Sequence, residues 1–191
     1  MTASQATAGE GQYLTFFLST DEFAVGILQV REIIGFDTVT TIPRTPSWIL
    51  GVLNLRGHVV PVIDLARKFG RGPTVIGPRT SIVIVEVTLE GDQVVMGILV
   101  DGVGQVVDFA RADLEPAPAF GTGLRIEFLK GVGKIDRKFV LILDIDRILS
   151  ADELMTAQAT GTGTGGGRGD SPAAAGGIVG SGAPVSGVPG P

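Results

Sequence analysis

The sequence predicts an all-β protein with only short helices, built as two small barrels of about five strands each around a shared hydrophobic core. Three observations lead there. Apolar residues come in short, mostly alternating runs bounded by Gly, Pro, Asn, Asp and Ser, which is the pattern of strands rather than of amphipathic helices. The chain also repeats itself. Gly51-Val52 returns as Gly131-Val132, and Val62-Ile63-Asp64-Leu65 returns as Ile142-Leu143-Asp144-Ile145, each at an offset of 80. Upstream, Val25-Gly26-Ile27 matches Met96-Gly97-Ile98 at an offset of 71, so the second copy carries a nine-residue insertion. A period this long exceeds that of solenoid repeats and points to two copies of one small domain. Finally, a copy of about 65 residues would bury only about 60% of its unfolded surface, so a core common to both is the stable arrangement.

In chain order, residues 1–11 are polar and small and are expected to be disordered. Residues 13–18 and 23–27 alternate around a polar turn and predict a first hairpin, whose second strand runs on through 30–34. A third strand is expected over 39–42, ending at Pro43, and a connector over 44–49 because Pro46 removes a ladder donor. Residues 50–55 and 58–63 form the central hairpin, joined only by Arg56-Gly57, where glycine supplies the positive φ of a two-residue turn. Pro61 within that strand suggests an edge or a bulge. Asp64 is placed to cap a short helix over 65–69 that Gly70 ends. Residues 70–79 link the copies, placed at about 12–70 and 80–150. In the second copy, 81–89 and 93–100 form a hairpin, 103–109 continues it, 110–126 hold the insertion, and 128–135 with 139–143 form the echo hairpin. Asp144 starts another short helix, and Ser150 with Glu153 makes a capping box. Beyond residue 155 the composition turns to Gly, Thr, Ala, Pro and Ser. Residues 156–191 hold 12 of the 29 glycines and two charged side chains, so burial cannot offset the entropy of ordering them, and a flexible tail is expected.

The composition excludes several classes. There is no cysteine, hence no disulfide, thiolate or cysteine-ligated zinc, which fits a reducing compartment. A net charge of −5 without a basic cluster argues against nucleic acid or anionic lipid as partner. The longest apolar run, 94–100, is too short to cross a bilayer, and no signal peptide is recognisable, so a cytoplasmic protein without membrane insertion is expected. Protein partners remain.

Catalytic constellations are missing. The single histidine, His58, stands beside the hairpin turn without a nucleophile or acid partner and is read as structural or solvated. Asp64 and Asp144 share a repeat position and read as helix caps, not as an acid pair. Asp101 and Asp108 flank an apolar Gly-Val-Gly segment without further ligands. Gly131-Val132-Gly133-Lys134 lacks the upstream glycine and following Ser/Thr of a phosphate loop. In the tail, Arg168-Gly169-Asp170 and the glycines 161, 163 and 166 match short motifs, but neither follows a strand nor opens a helix, and both are read as accidents of low complexity. No enzyme, metal or cofactor is implied. What stands out is a surface: Arg56 on a rigid tip, Asn54 two residues earlier on the same face, and Glu32 as the nearest acid able to pair with Arg56.

These residues carry a family resemblance. The run 23–32, Thr45-Pro46, Gly51-Val52-Leu53-Asn54-Leu55-Arg56-Gly57 with the following apolar strand, the segment 97–103 around Asp101-Gly102, and the closing strand over 141–145 resemble the CheW family of bacterial chemotaxis coupling proteins. The similarity spans residues 11–155, with the CheW-like domain set at 12–155. It implies two SH3-like five-stranded barrels, no catalytic activity, and a cytoplasmic adaptor, recruited to membrane receptor arrays, that links methyl-accepting chemoreceptors to the histidine kinase CheA. By resemblance, Val30, Glu32, Gly51, Asn54, Arg56, Gly57 and Val103 match the surface that receives the receptor's cytoplasmic tip. Val95, Gly97 and Val106 are second-copy candidates for the kinase's regulatory domain, which has the same two-barrel fold. Three alternatives stay open: a CheW-like scaffold in a receptor–kinase pathway outside chemotaxis, a small-ligand-binding or enzymatic double barrel, and a detached kinase regulatory domain.

Overall fold

The computed structural model describes residues 11–116, 124–135, 137–149 and 153. The first hairpin is β1 (Gln12–Leu18) and β2 (Asp21–Gly26), paired with Phe16 opposite Phe23. One 3₁₀ turn, Ile27–Gln29, then leads into β3 (Val30–Gly35). The expected single long strand is therefore broken. After Gly26 the chain leaves the first sheet, and Val30 pairs with Val85 in the other one.

No third strand forms over 39–42. Only an isolated bridge, Thr40 with Val52, survives, with N–H···O distances of 2.8 and 2.9 Å. Pro43 cannot extend a ladder, and Arg44 turns the chain away at φ 65°. The central hairpin stands as expected, as β4 (Ile49–Leu55) and β5 (His58–Asp64). Pro61 sits within β5, which is an interior strand, but its second neighbour joins only from Val62 onward, so the missing N–H breaks no ladder there. Asp64 caps α1 (Leu65–Lys68), accepting from the Arg67 N–H at 3.1 Å, and Gly70 follows at φ 73°.

The second copy contributes β6 (Ser81–Leu89), β7 (Asp92–Val100), β8 (Gly102–Asp108), the two-residue β9 (Leu114–Glu115), β10 (Leu129–Ile135) and β11 (Lys138–Leu143). A 3₁₀ turn, Ile145–Arg147, follows Asp144, whose carboxylate makes no cap hydrogen bond, unlike Asp64. The expected capping box at Ser150, residues 1–10 of the stretch 1–11 expected to be disordered, the tail, and residues 117–123 of the insertion expected over 110–126 lie outside the described residues, whereas Gly11 is described and its carbonyl accepts from the Phe109 N–H at 2.8 Å.

Strand order corrects the boundaries read from the repeat. One sheet runs β8-β1-β2-β11-β10-β9 and the other β3-β6-β7-β5-β4. The copies at about 12–70 and 80–150 do not each close a barrel of their own. They exchange hairpins: β1 and β2 pair with strands of the second copy, and β6 and β7 with strands of the first. Two parallel pairings make the exchange symmetric, Val62 with Gly97 and Ile142 with Ala24. Matching bonds recur at an offset of 80, from the Asp64 N–H to the Trp48 carbonyl and from the Asp144 N–H to the Phe128 carbonyl, both at 2.8 Å.

The exchange is explained by burial. The swapped hairpins are apolar on both faces, because each covers a barrel interior on one side and the middle of the molecule on the other. Along β6, Val83, Val85 and Val87 face the shared core, while Ile82 and Ile84 face the five-stranded interior. Along β2, Phe23 and Val25 face the shared core and Ala24 the six-stranded interior. Among the described residues the shared core holds twenty buried hydrophobic side chains, against six and four in the two barrels, so the middle of the molecule is its main source of stability.

Candidate protein-docking site

Hairpin β4–β5 projects from the five-stranded barrel and ends in Arg56 and Gly57, both left-handed at φ 53° and 89°. That backbone suits a two-residue hairpin turn, but for an arginine it costs about 1 kcal/mol or more. Two bonds hold it. The Asn54 side-chain carbonyl accepts from the Gly57 N–H at 2.7 Å, and the Arg56 guanidinium donates to the Glu32 carboxylate at 2.9 Å. Asn54 is thus occupied by the turn, although its side chain remains exposed.

Glu32 lies on β3 and Arg56 at the end of β4, and these are the two edge strands of the five-stranded sheet. Their ion pair closes the barrel at its open end. Inside that rim is a groove of about 500 Å³. Its apolar floor is Leu55, Val59, Val60, Val94 and Val95, and its rim is Arg31, Glu32, Arg56, His58 and Gln93. Val59 is 61% exposed, a large apolar side chain that the fold leaves uncovered.

The expected site residues separate into groups. Glu32, Asn54, Arg56 and Gly57 meet at the tip. Val30 and Val103 sit half-buried against the shared core from opposite sheets. Gly51 is buried at the other end of β4, where an added Cβ would lie 2.1 Å from the Thr40 carbonyl oxygen. Of the second-copy candidates, Val95 lines the same groove as Arg56. Gly97 is buried, with Ile82 Cγ2 2.7 Å from where its Cβ would stand. Val106 is 51% exposed on β8, an edge strand of the other sheet. Arg31 and Val59 were not singled out from sequence. Val59 could have been found, because it pairs with Asn54 across the hairpin.

The equivalent opening of the six-stranded barrel, about 410 Å³, is lined by Glu22, Gln105, Ile135, Arg137 and Lys138. Gln105 stands there where Glu32 stands in the first opening, 73 residues apart like Val30 and Val103, so that position carries an amide in place of the carboxylate. Among the described residues, no group of three His, Asp or Glu side chains could hold a metal ion, and no helix is long and apolar enough to cross a membrane.

Fold and site together define a double-barrel module that presents a charged, valine-floored groove on a rigid tip. The chain belongs to the CheW-like domain family, whose sequence profile matches residues 12–153. It is 38% identical over 148 residues to the chemotaxis protein CheW of Klebsiella aerogenes, covering 78% of this chain and 86% of that one. Over 123 residues it is 36% identical to protein FrzA of Myxococcus xanthus, covering 64% and 74%. Among solved structures, the scaffolding protein TtCheW from Thermoanaerobacter tengcongensis superposes with a TM-score of 0.67 at 31% identity, covering 75% of this chain and 94% of that one. The two sheets are accordingly the two SH3-like barrels that the sequence led one to expect.

Proposed function

We propose that this chain is a non-catalytic coupling adaptor of chemotaxis signal transduction, joining the cytoplasmic tips of methyl-accepting chemoreceptors to the regulatory domain of the histidine kinase CheA within receptor arrays. Family membership and the CheW relatives support the coupling role. The observation that carries the choice of site is the Arg56–Glu32 pair on the rim of the apolar groove. The side chain of Arg56 is 79% exposed, so the pair contributes only about 0 to 1 kcal/mol to stability. Its value is to orient a planar donor fork toward a partner, the use for which arginine is enriched at interface hot spots.

In this reading Arg56 anchors the receptor tip, Val30 and Val103 supply apolar contact, and Asn54 with Gly57 hold the turn. Gly51 acts through the backbone of β4. Val106 and Val95 are the kinase-side candidates, with Gly97 supporting β7 from within. The test is a pull-down of a receptor cytoplasmic fragment by wild type and Arg56→Ala, with thermal melting alongside. The variant should melt within about 1 kcal/mol of wild type and lose receptor affinity by about tenfold or more. Undiminished receptor binding by a folded Arg56→Ala would remove Arg56 from the site, and a wild type that bound neither receptor nor kinase would remove the coupling role.

A further inference from the structure

The carboxylate of Asp146 joins three stretches of chain that are far apart in sequence. It lies half-buried on the 3₁₀ turn that follows β11, in the six-stranded barrel. One oxygen accepts from the Gln29 side-chain amide at 3.0 Å, and the other from the Thr88 backbone N–H at 2.8 Å. Gln29 ends the 3₁₀ turn by which the chain crosses between the sheets, and no side chain at the start of that turn caps it. β3 begins at the next residue and carries Arg31 and Glu32, one wall of the groove. Thr88 stands near the end of β6, and its hydroxyl accepts from the Gln93 side chain at 3.0 Å. Gln93, Val94 and Val95 of β7 form another wall. In the five-stranded sheet β6 lies between β3 and β7. One side chain of the other barrel is therefore bonded toward both walls of the groove.

The repeat does not supply this tie twice. At the offset of 80 Asp146 corresponds to Ala66, which has no acceptor, and 73 residues after Gln29 stands Gly102, which has no side-chain donor. The second crossing between the sheets is held instead by Asp101, whose carboxylate accepts from the Ser19 N–H at 2.6 Å. The tie thus belongs to the barrel that bears Arg56. We infer that Asp146 is a positioning residue of the groove: from the six-stranded barrel it sets β3 and the start of β7 relative to each other, and with them Glu32, which holds Arg56. It acts through Gln29 and Thr88 and does not itself line the groove. The effect on binding rests on the groove being the receptor site, whereas the tie does not.

Reversing the bond tests the inference. Gln29→Glu keeps the side-chain length and sets one carboxylate against another. Adding Asp146→Asn restores the match, the new amide donating to the new carboxylate while its carbonyl still accepts from Thr88. Asp144→Ala, two residues earlier on the same turn, controls for a general loss of stability. Two readouts are taken on the full chain: backbone amide hydrogen exchange of the free protein, and affinity for a receptor cytoplasmic fragment. Gln29→Glu should speed exchange over residues 30–32 and 92–95 and weaken the receptor fragment by about threefold to tenfold. The double variant should recover both, and Asp144→Ala should change neither. Unaltered exchange in Gln29→Glu, no recovery in the double variant, or the same response from Asp144→Ala would overturn the inference. Walls that loosen and recover at constant receptor affinity, or a wild type that binds no receptor fragment, would overturn the groove as receptor site while the exchange data uphold the tie.

Discussion

Gly51 sits at φ 149° with the Thr40 carbonyl oxygen where a Cβ would be, so a single missing methyl group lets residue 40 lie against β4. Gly51→Ala should lose about 2 kcal/mol or more of stability by chemical denaturation, because the contact is with backbone that cannot swing aside. The resemblance placed Gly51 on the docking surface, and strand alternation alone could not separate a glycine bared for a partner from one bared for its own chain. The Glu32–Arg56 pair, by contrast, was legible, since charge and proximity to the tip leave Arg56 few acids to meet. His58 was visible as a residue but not as part of a groove. The wall opposite it, Gln93 to Val95, comes from the other copy of the repeat, which no local pattern reveals.

The hairpins were legible as elements because alternation and turn glycines act over a few residues, and β4–β5 and β10–β11 stand within about two residues of their expected bounds. The strand expected over 39–42 stops at a single bridge to β4, because Pro43 cannot extend a ladder and Arg44 turns the chain away. The two aspartates at the repeat position also diverge. Asp64 is 1% exposed and accepts from the Arg67 N–H, the Thr74 N–H and the Thr74 hydroxyl, tying α1 to the segment that follows it. Asp144 instead meets Arg147 at 3.2 Å and Lys130 at 3.8 Å near the surface. Asp64→Ala should therefore cost about 2 to 4 kcal/mol in urea denaturation, since it removes three hydrogen bonds to half-buried donors and empties a buried position, and Asp144→Ala about 1 kcal/mol or less. Equal losses would mean that the two short helices are held in the same way, against the bonds seen.

At the scale of the molecule, the duplication was legible in the offsets of 80 and 71, but the exchange of hairpins was not. A repeat records which segments are alike and carries no information on which copy each hairpin pairs with. The hint lay in the doubly apolar runs of β6 and β7, which need cover on two sides. Because each barrel borrows two strands, a chain cut within residues 70–79 should give two halves that do not fold alone yet regain native circular dichroism on mixing. Independent folding of either half would contradict the exchange. Coupling itself is tested most directly by co-sedimenting the kinase CheA with receptor-bearing membranes, with and without this chain. An adaptor requires that the kinase pellet with the membranes only when the chain is present, and less with Arg56→Ala than with wild type. Equal sedimentation of the kinase in the absence of the chain would contradict the coupling role.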